Sequence, residues 1–191
     1  MRVFVGIEAG ADLRGRVEAA RRAIEAEIAQ RAREAPRIVW VKPAALHVTL
    51  AFLGEVPDAD ATTLGQALAA PYALPPFTVR WHGLGAFPSP RRPRALWVGV
   101  ADGARELAAL ERVVARRLGR PAAGDDGPPF RPHVTIGRIK TEGREVPWPA
   151  ILAAADVGGA SQQVAHVSVF RSLGLPGGEG YQEIARGALE G

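Results

Sequence analysis

The chain is written twice. "LHVTLAFLG" at residues 46–54 and "PHVTIGRIK" at residues 132–140 share His-Val-Thr-aliphatic at an offset of 86 positions. Phe4-Val5-Gly6-Ile7 stands against Trp97-Val98-Gly99-Val100 at an offset of 93. A duplicated unit of this size constrains the fold more than any composition does. A one-sided sheet of roughly 90 residues cannot bury its apolar face alone, so two copies must share a core, commonly about a pseudo-two-fold axis. The expectation is one α+β domain over residues 1–191, built as two pseudo-symmetric lobes. The repeated units run roughly over 1–90 and 94–175 and are not independent domains.

Local patterns give each half the same order. "RVFVGIE" is β-rich and too short for a helix, so it reads as a strand. Leu13, Val17, Ala20, Ile24 and Ile28 recur at steps of three and four, which predicts an amphipathic helix from Ala11 to about Ala35, ended with the help of Pro36. "RIVWVKP" is extended and leads into the first His-Val-Thr run. Asp58 reads as the cap of a short helix carrying Ala61, Leu64 and Leu68 and stopped by Pro71. "PFTVRWHGLGAF" is the next strand, and "PSPRRPR" is a basic, proline-rich loop. The order then recurs: "RALWVGVAD" as strand, a helix carrying Leu107, Leu110, Val114 and Leu118, the loop "GRPAAGDDGPP", the second His-Val-Thr run, and "QQVAHVSVFRSLG" as a closing strand.

Side chains alternate faces along a strand. His47 and Thr49 therefore share one face while Val48 and Leu50 share the apolar one, and His133 and Thr135 oppose Val134 and Ile136 in the same way. Chance explains this poorly. With six threonines in 191 residues, a given histidine meets Thr at +2 roughly 3% of the time, and the chain does so at two of its four histidines. If the pseudo-two-fold holds, the two polar faces look at each other across a groove. Two imidazoles flanking one centre suit phosphate-ester chemistry: the neutral ring takes a proton from the attacking oxygen, and the protonated ring gives one to the leaving oxygen. The Thr hydroxyls can donate to non-bridging phosphate oxygens.

Composition enters mainly by exclusion. The chain has no cysteine, so disulfides, thiol catalysis and thiolate metal sites drop out, and an intracellular setting is the default. No apolar run approaches a bilayer span, and "MRVFVGIEAGAD" reads as a first strand rather than a signal peptide. A soluble, cytoplasmic, monomeric protein without membrane partners is expected. The formal charge is +4 with 22 Arg against 2 Lys, which fits either compositional bias or a polyanion-binding surface. Zinc is the rival reading of the histidine pair, but there is no HExxH and the nearest carboxylates (Glu55, Asp126, Glu142) fall in flanking loops, so no metal is expected. No nucleophile elbow, P-loop or Rossmann glycine pattern occurs, so no serine hydrolase, ATP or NAD chemistry is supported and no cofactor is expected.

Taken together, these residues resemble the two-histidine (2H) phosphoesterase superfamily, defined by paired His-x-Thr/Ser-x motifs. The flanking segments narrow the likeness. "RVFVGIE", "WVKPAALHVTLAFLGEV", "GAFPSPRRPRALWVGV", "FRPHVTIGRIK" and "VSVFRSLGLPGGEGYQEIARGAL" resemble the RNA 2′,3′-cyclic phosphodiesterases, also called 2′-5′ RNA ligases (LigT-like). The resemblance implies lobes of antiparallel sheet with outer helices and the motifs in a central groove. It implies metal- and ATP-independent opening of an RNA 2′,3′-cyclic phosphate to a 2′-phosphomonoester, and 2′-5′ ligation when an RNA 5′-hydroxyl replaces water. His47 and His133 would then be the acid–base pair, with His47 taken as acid and His133 as base, and Thr49 and Thr135 the phosphate donors. Two other readings stay open: a related enzyme acting on a small cyclic phosphate, and an RNA-binding module without turnover.

Parity adds Arg131, which shares the face of His133 and could clamp the phosphate. Arg138 has the opposite parity, beside a glycine where the strand could kink, and is read equally as a strand-end ion-pair residue or a binding residue. Phe52 has core parity and is expected to pack inside. His82 and His166 lack a Thr at +2 and are read as structural. Arg91, Arg92 and Arg94 are read as solvated, with RNA backbone contact as the alternative.

Overall fold

The computed structural model describes residues 1–173 and 180–191. Positions 174–179, which the duplicated unit and the closing family-like segment both enter, lie outside the described residues. The elements run β1 (Arg2–Glu8), α1 (Ala11–Arg31), β2 (Arg37–Trp40), a 3-10 turn (Pro43–Ala45), β3 (His47–Glu55), α2 (Asp58–Ala69), β4 (Phe77–Phe87), β5 (Ala95–Asp102), α3 (Ala104–Arg117), β6 (Val134–Thr141), α4 (Trp148–Ala154), β7 (Ala160–Val164), β8 (His166–Ser172) and β9 (Tyr181–Ala188). The strands form an antiparallel sheet in the order β7-β4-β5-β6-β3-β1-β8-β9, with β2 pairing β6 off this path. The order is symmetric about its centre: β3 and β6 meet in the middle, β1 and β5 flank them, and β8 and β4 come next. This is the α+β arrangement of two lobes around a groove.

The lobes are not the two halves of the chain. β4, encoded in the first half, pairs with β5 and β7 of the second, while β8, encoded in the second half, pairs with β1 of the first. Each lobe thus takes its third strand from the other half. The predicted closing strand is accordingly two strands: the chain breaks at Ala165, sending β7 to one edge of the sheet and β8 to the other lobe. Hydrophobic period reads these residues as one extended run because both pieces are extended. Only their hydrogen-bond partners separate them.

The helices cover one face. α1 buries Leu13, Val17, Ala20, Ile24 and Ile28, the stripe its spacing predicts. It ends at Arg31 rather than near Ala35, because Ala32 turns extended and the Arg33 and Glu34 amides both donate to the Arg144 carbonyl. α2 starts at Asp58, with Pro57 in the cap position, so Asp58 and Asp60 serve the first turn through the helix dipole instead of a side-chain cap. Its end before Pro71 follows from the extended backbone that proline imposes on Ala70. α3 buries Leu107, Leu110 and Val114 together with Glu111. No described helix is long and apolar enough to cross a membrane.

Candidate active site

The central strands β3 and β6 pair at a single position, Val48 against Val134. Both valines are buried in the core. Alternation then turns His47, Thr49, His133 and Thr135 to the other face, where all four line a groove of about 1030 Å³. Antiparallel direction about that pair brings His47 towards Thr135 and Thr49 towards His133, so the pseudo-two-fold axis passes through the site.

Each ring is held by the main chain two residues before it. His47 Nδ1 lies 2.8 Å from the Ala45 carbonyl oxygen, and His133 Nδ1 lies 2.6 Å from that of Arg131. A carbonyl can only accept, so each Nδ1 carries its hydrogen and each Nε2 is left for chemistry. His47 Nε2 sits 3.1 Å from Thr49 Oγ1. The rings also have aromatic walls. Phe4 packs on His47 with centroids 4.6 Å apart, and Tyr181 meets it edge-on at 5.1 Å. Phe87 meets His133 edge-on at 5.0 Å, with Trp97 at 6.1 Å. Gly6 is what lets β1 approach: a Cβ there would lie 2.4 Å from the Val48 carbonyl oxygen.

The electrostatics of the pair differ. Burial, first of all, pushes His47 below the ordinary imidazole range, and the positive charges of Arg138 and His133 push the same way, while the Ala45 hydrogen bond works against them. His47 is therefore kept neutral, which suits taking up a proton. That direction runs against its expected role as the acid.

The site holds two residues whose place parity misassigned or left undecided. Register along β1–β3 passes from Gly6 opposite Thr49 to Val5 opposite Ala51, leaving Leu50 extra. Along β5–β6 it passes from Trp97 opposite Thr135 to Leu96 opposite Gly137, leaving Ile136 extra. These are symmetric β-bulges, 86 positions apart, and a bulge reverses the facing of the residues beyond it. Phe52, expected in the core, is 70% exposed and lines the groove. Arg138 is its counterpart in the other lobe and lines the groove too, close enough for its charge to act on His47. Gly137 sits at this bulge, and a Cβ there would also meet the Trp40 ring at 2.9 Å.

Arg131 lines the groove beside His133, and its main chain also orients that ring. His82 and His166 are not among the groove residues. Arg91, Arg92 and Arg94 are all open to solvent, and Arg94 lies 3.8 Å from Glu142. Among the described residues, no three His, Asp or Glu side chains gather where they could hold a metal ion.

The sequence profile of the 2′-5′ RNA ligase superfamily matches residues 17–174. The chain belongs to this superfamily. It is 32% identical over 146 residues to an RNA 2′,3′-cyclic phosphodiesterase of Archaeoglobus fulgidus, covering 76% of this chain and 77% of that one. A namesake from Aquifex aeolicus is 40% identical over 108 residues, 56% of this chain; the match spans 57% of the relative, little more than half its length. Among solved structures, Escherichia coli LigT complexed with 3′-AMP superposes with a TM-score of 0.65 at 26% identity, covering 98% of this chain and 97% of that one. This superfamily member thus shares the LigT fold over nearly its whole length.

Proposed function

We propose that the protein is an RNA 2′,3′-cyclic phosphodiesterase that opens a terminal cyclic phosphate to a 2′-phosphomonoester, and that it joins RNA ends through a 2′-5′ linkage when a 5′-hydroxyl takes the place of water. The observation that carries this reading is the pair of His-x-Thr strands back to back at Val48–Val134, each histidine tied by Nδ1 to its own backbone and offering Nε2 to one groove. His47, kept neutral by burial, takes the proton of the attacking water or hydroxyl. His133, on the more open side, delivers a proton to the departing 3′ oxygen. The bond formed is attacking oxygen to phosphorus, and the bond broken is phosphorus to O3′. The histidines end with their protonation states exchanged and are reset by solvent.

Thr49, Thr135, Arg131 and Arg138 supply donors to the phosphate oxygens as charge builds on them. None of these steps calls for a metal or nucleotide cofactor. The partner is RNA bearing a 2′,3′-cyclic phosphate, handled by a cytoplasmic monomer. The test is an oligoribonucleotide with such an end, incubated in EDTA without ATP beside the corresponding mononucleotide. Wild type should yield the 2′-phosphate, and His47→Ala and His133→Ala should each lose about 10²–10⁴-fold or more while melting near the wild-type temperature. Undiminished turnover in both variants would refute the reading, and turnover of the mononucleotide alone would move the substrate to a small cyclic phosphate.

A further inference from the structure

The groove continues past the histidines. Beyond Thr49 the bulged part of β3 forms one wall of a second, open hollow of about 360 Å³, bordered by α3 and the loop over residues 120–128. Phe52 and Glu111 line both the groove and this hollow. Phe52 lies three positions beyond Thr49 along the strand, about 10 Å, comparable to the reach from a nucleotide's phosphate to the far side of its base.

Both residues have unused capacity. Phe52 presents most of an aromatic face to the opening, and its carbonyl is held by Arg120 Nη1 at 2.9 Å. Glu111 is 6% exposed, one of two polar side chains buried to this degree among the described residues. The other, Ser168, donates to Glu183 at 2.6 Å. Glu111 Oε1 accepts the Ala123 amide at 3.1 Å, while Oε2 has no hydrogen-bond or ion-pair partner among the described residues. That second oxygen is not sealed off: it stays open to the hollow, where it can accept from a ligand. Asp126, the other carboxylate on the wall, is exposed, so water satisfies it.

We propose that this hollow is a nucleobase subsite for the nucleotide carrying the reacting phosphate, with Phe52 stacking on the base and Glu111 selecting guanine. The inference rests on the phosphodiesterase reading of the groove. An ionised carboxylate only accepts. Guanine sets an imino N–H beside an amino group, two neighbouring donors that match two oxygens. Adenine and cytosine place an amino group next to a ring nitrogen acceptor, and uracil flanks its one N–H with carbonyls, so each would aim a lone pair at Glu111. Stacking on Phe52 holds any base and adds affinity without selection.

The experiment measures kcat/KM on four short RNAs identical except for the terminal G, A, C or U 2′,3′-cyclic phosphate, with wild type, Glu111→Gln, Phe52→Ala and Asp126→Asn. Glu111→Gln keeps an oxygen for the Ala123 amide and presents an amino group where guanine needs an acceptor. Calorimetric binding of 2′-GMP and 2′-AMP runs in parallel, so the subsite is read without turnover. Wild type should favour the guanosine end by about 10- to 100-fold. Glu111→Gln should remove that preference, Phe52→Ala should raise KM for all four ends, and Asp126→Asn should leave the preference in place. Equal rates on all four ends in wild type, or a preference that survives Glu111→Gln or falls with Asp126→Asn, would overturn the proposal. Absence of turnover on every end would instead sink the phosphodiesterase reading, and equal affinities for the two monophosphates would then still reject the subsite.

Discussion

Two glycine-to-alanine changes should act with opposite signs. Gly6 sits on β1 where a Cβ would stand 2.4 Å from the Val48 carbonyl oxygen and 3.6 Å from the His47 ring. Ordinary contact needs nearly 1 Å more room. The atom in the way is backbone between His47 and Thr49, in the strand that pairs with Val134, so it cannot swing aside like a side chain. Overpacking of this kind costs about 1–3 kcal/mol, a fall in Tm of about 2–12 °C for a chain this size. Displacing the motif by a good part of an ångström should also lower kcat by about 10²-fold. Gly15, inside α1, has nothing within 4 Å of its would-be Cβ. Alanine there should stabilise by about 0.5–1 kcal/mol through helix propensity and leave turnover unchanged. Urea and thermal melts with turnover on the cyclic-phosphate RNA decide it. A Gly6→Ala protein as stable and as active as wild type would show that β1 does not clamp the motif.

The same geometry sets three other expected outcomes. Arg138 helps hold His47 below the usual imidazole range, so Arg138→Gln should raise the pKa of His47. The acidic limb of kcat/KM, set by the base losing its proton, should then move to higher pH, and an unmoved limb would detach Arg138 from the site. A cyclic substrate with sulfur in place of O3′ releases a thiolate that needs no proton; it should restore much of the activity of His133→Ala but not of His47→Ala, and the reverse pattern would exchange their roles. Tyr72 is fully buried and its hydroxyl donates to the Leu68 carbonyl at 2.9 Å. Tyr72→Phe should lose about 0.5–1.5 kcal/mol in chemical denaturation with turnover intact, and no loss would mean that bond contributes nothing.

The parts of the site legible in sequence are those set by near neighbours. Parity along five residues is enough to pair His47 with Thr49 and His133 with Thr135, and the three-to-four spacing of Leu13, Val17, Ala20, Ile24 and Ile28 is enough to give α1 its buried face. Phe52 shows the limit of that logic. Its parity counts from a regular strand, whereas the extra residue at Leu50 exists only in relation to β1. Glu111 left a fainter signal, a carboxylate at helical spacing on the apolar side of Leu107, Leu110 and Val114. Its burial depends on the 120–128 loop folding over it.

The duplicated motif, by itself, determined the two-lobed plan, the identity of the facing histidines and the kind of chemistry they could perform. Alternation and helical period are properties of the local chain, and a symmetric pair of local patterns implies a symmetric site. Only the tertiary structure decided that the halves exchange β4 and β8, that Phe52 and Arg138 turn into the groove, and that Glu111 lies buried at its end. Strand partners, bulges and burial are set by residues far away in the chain, because a register shift or a desolvated carboxylate is defined by what lies across from it.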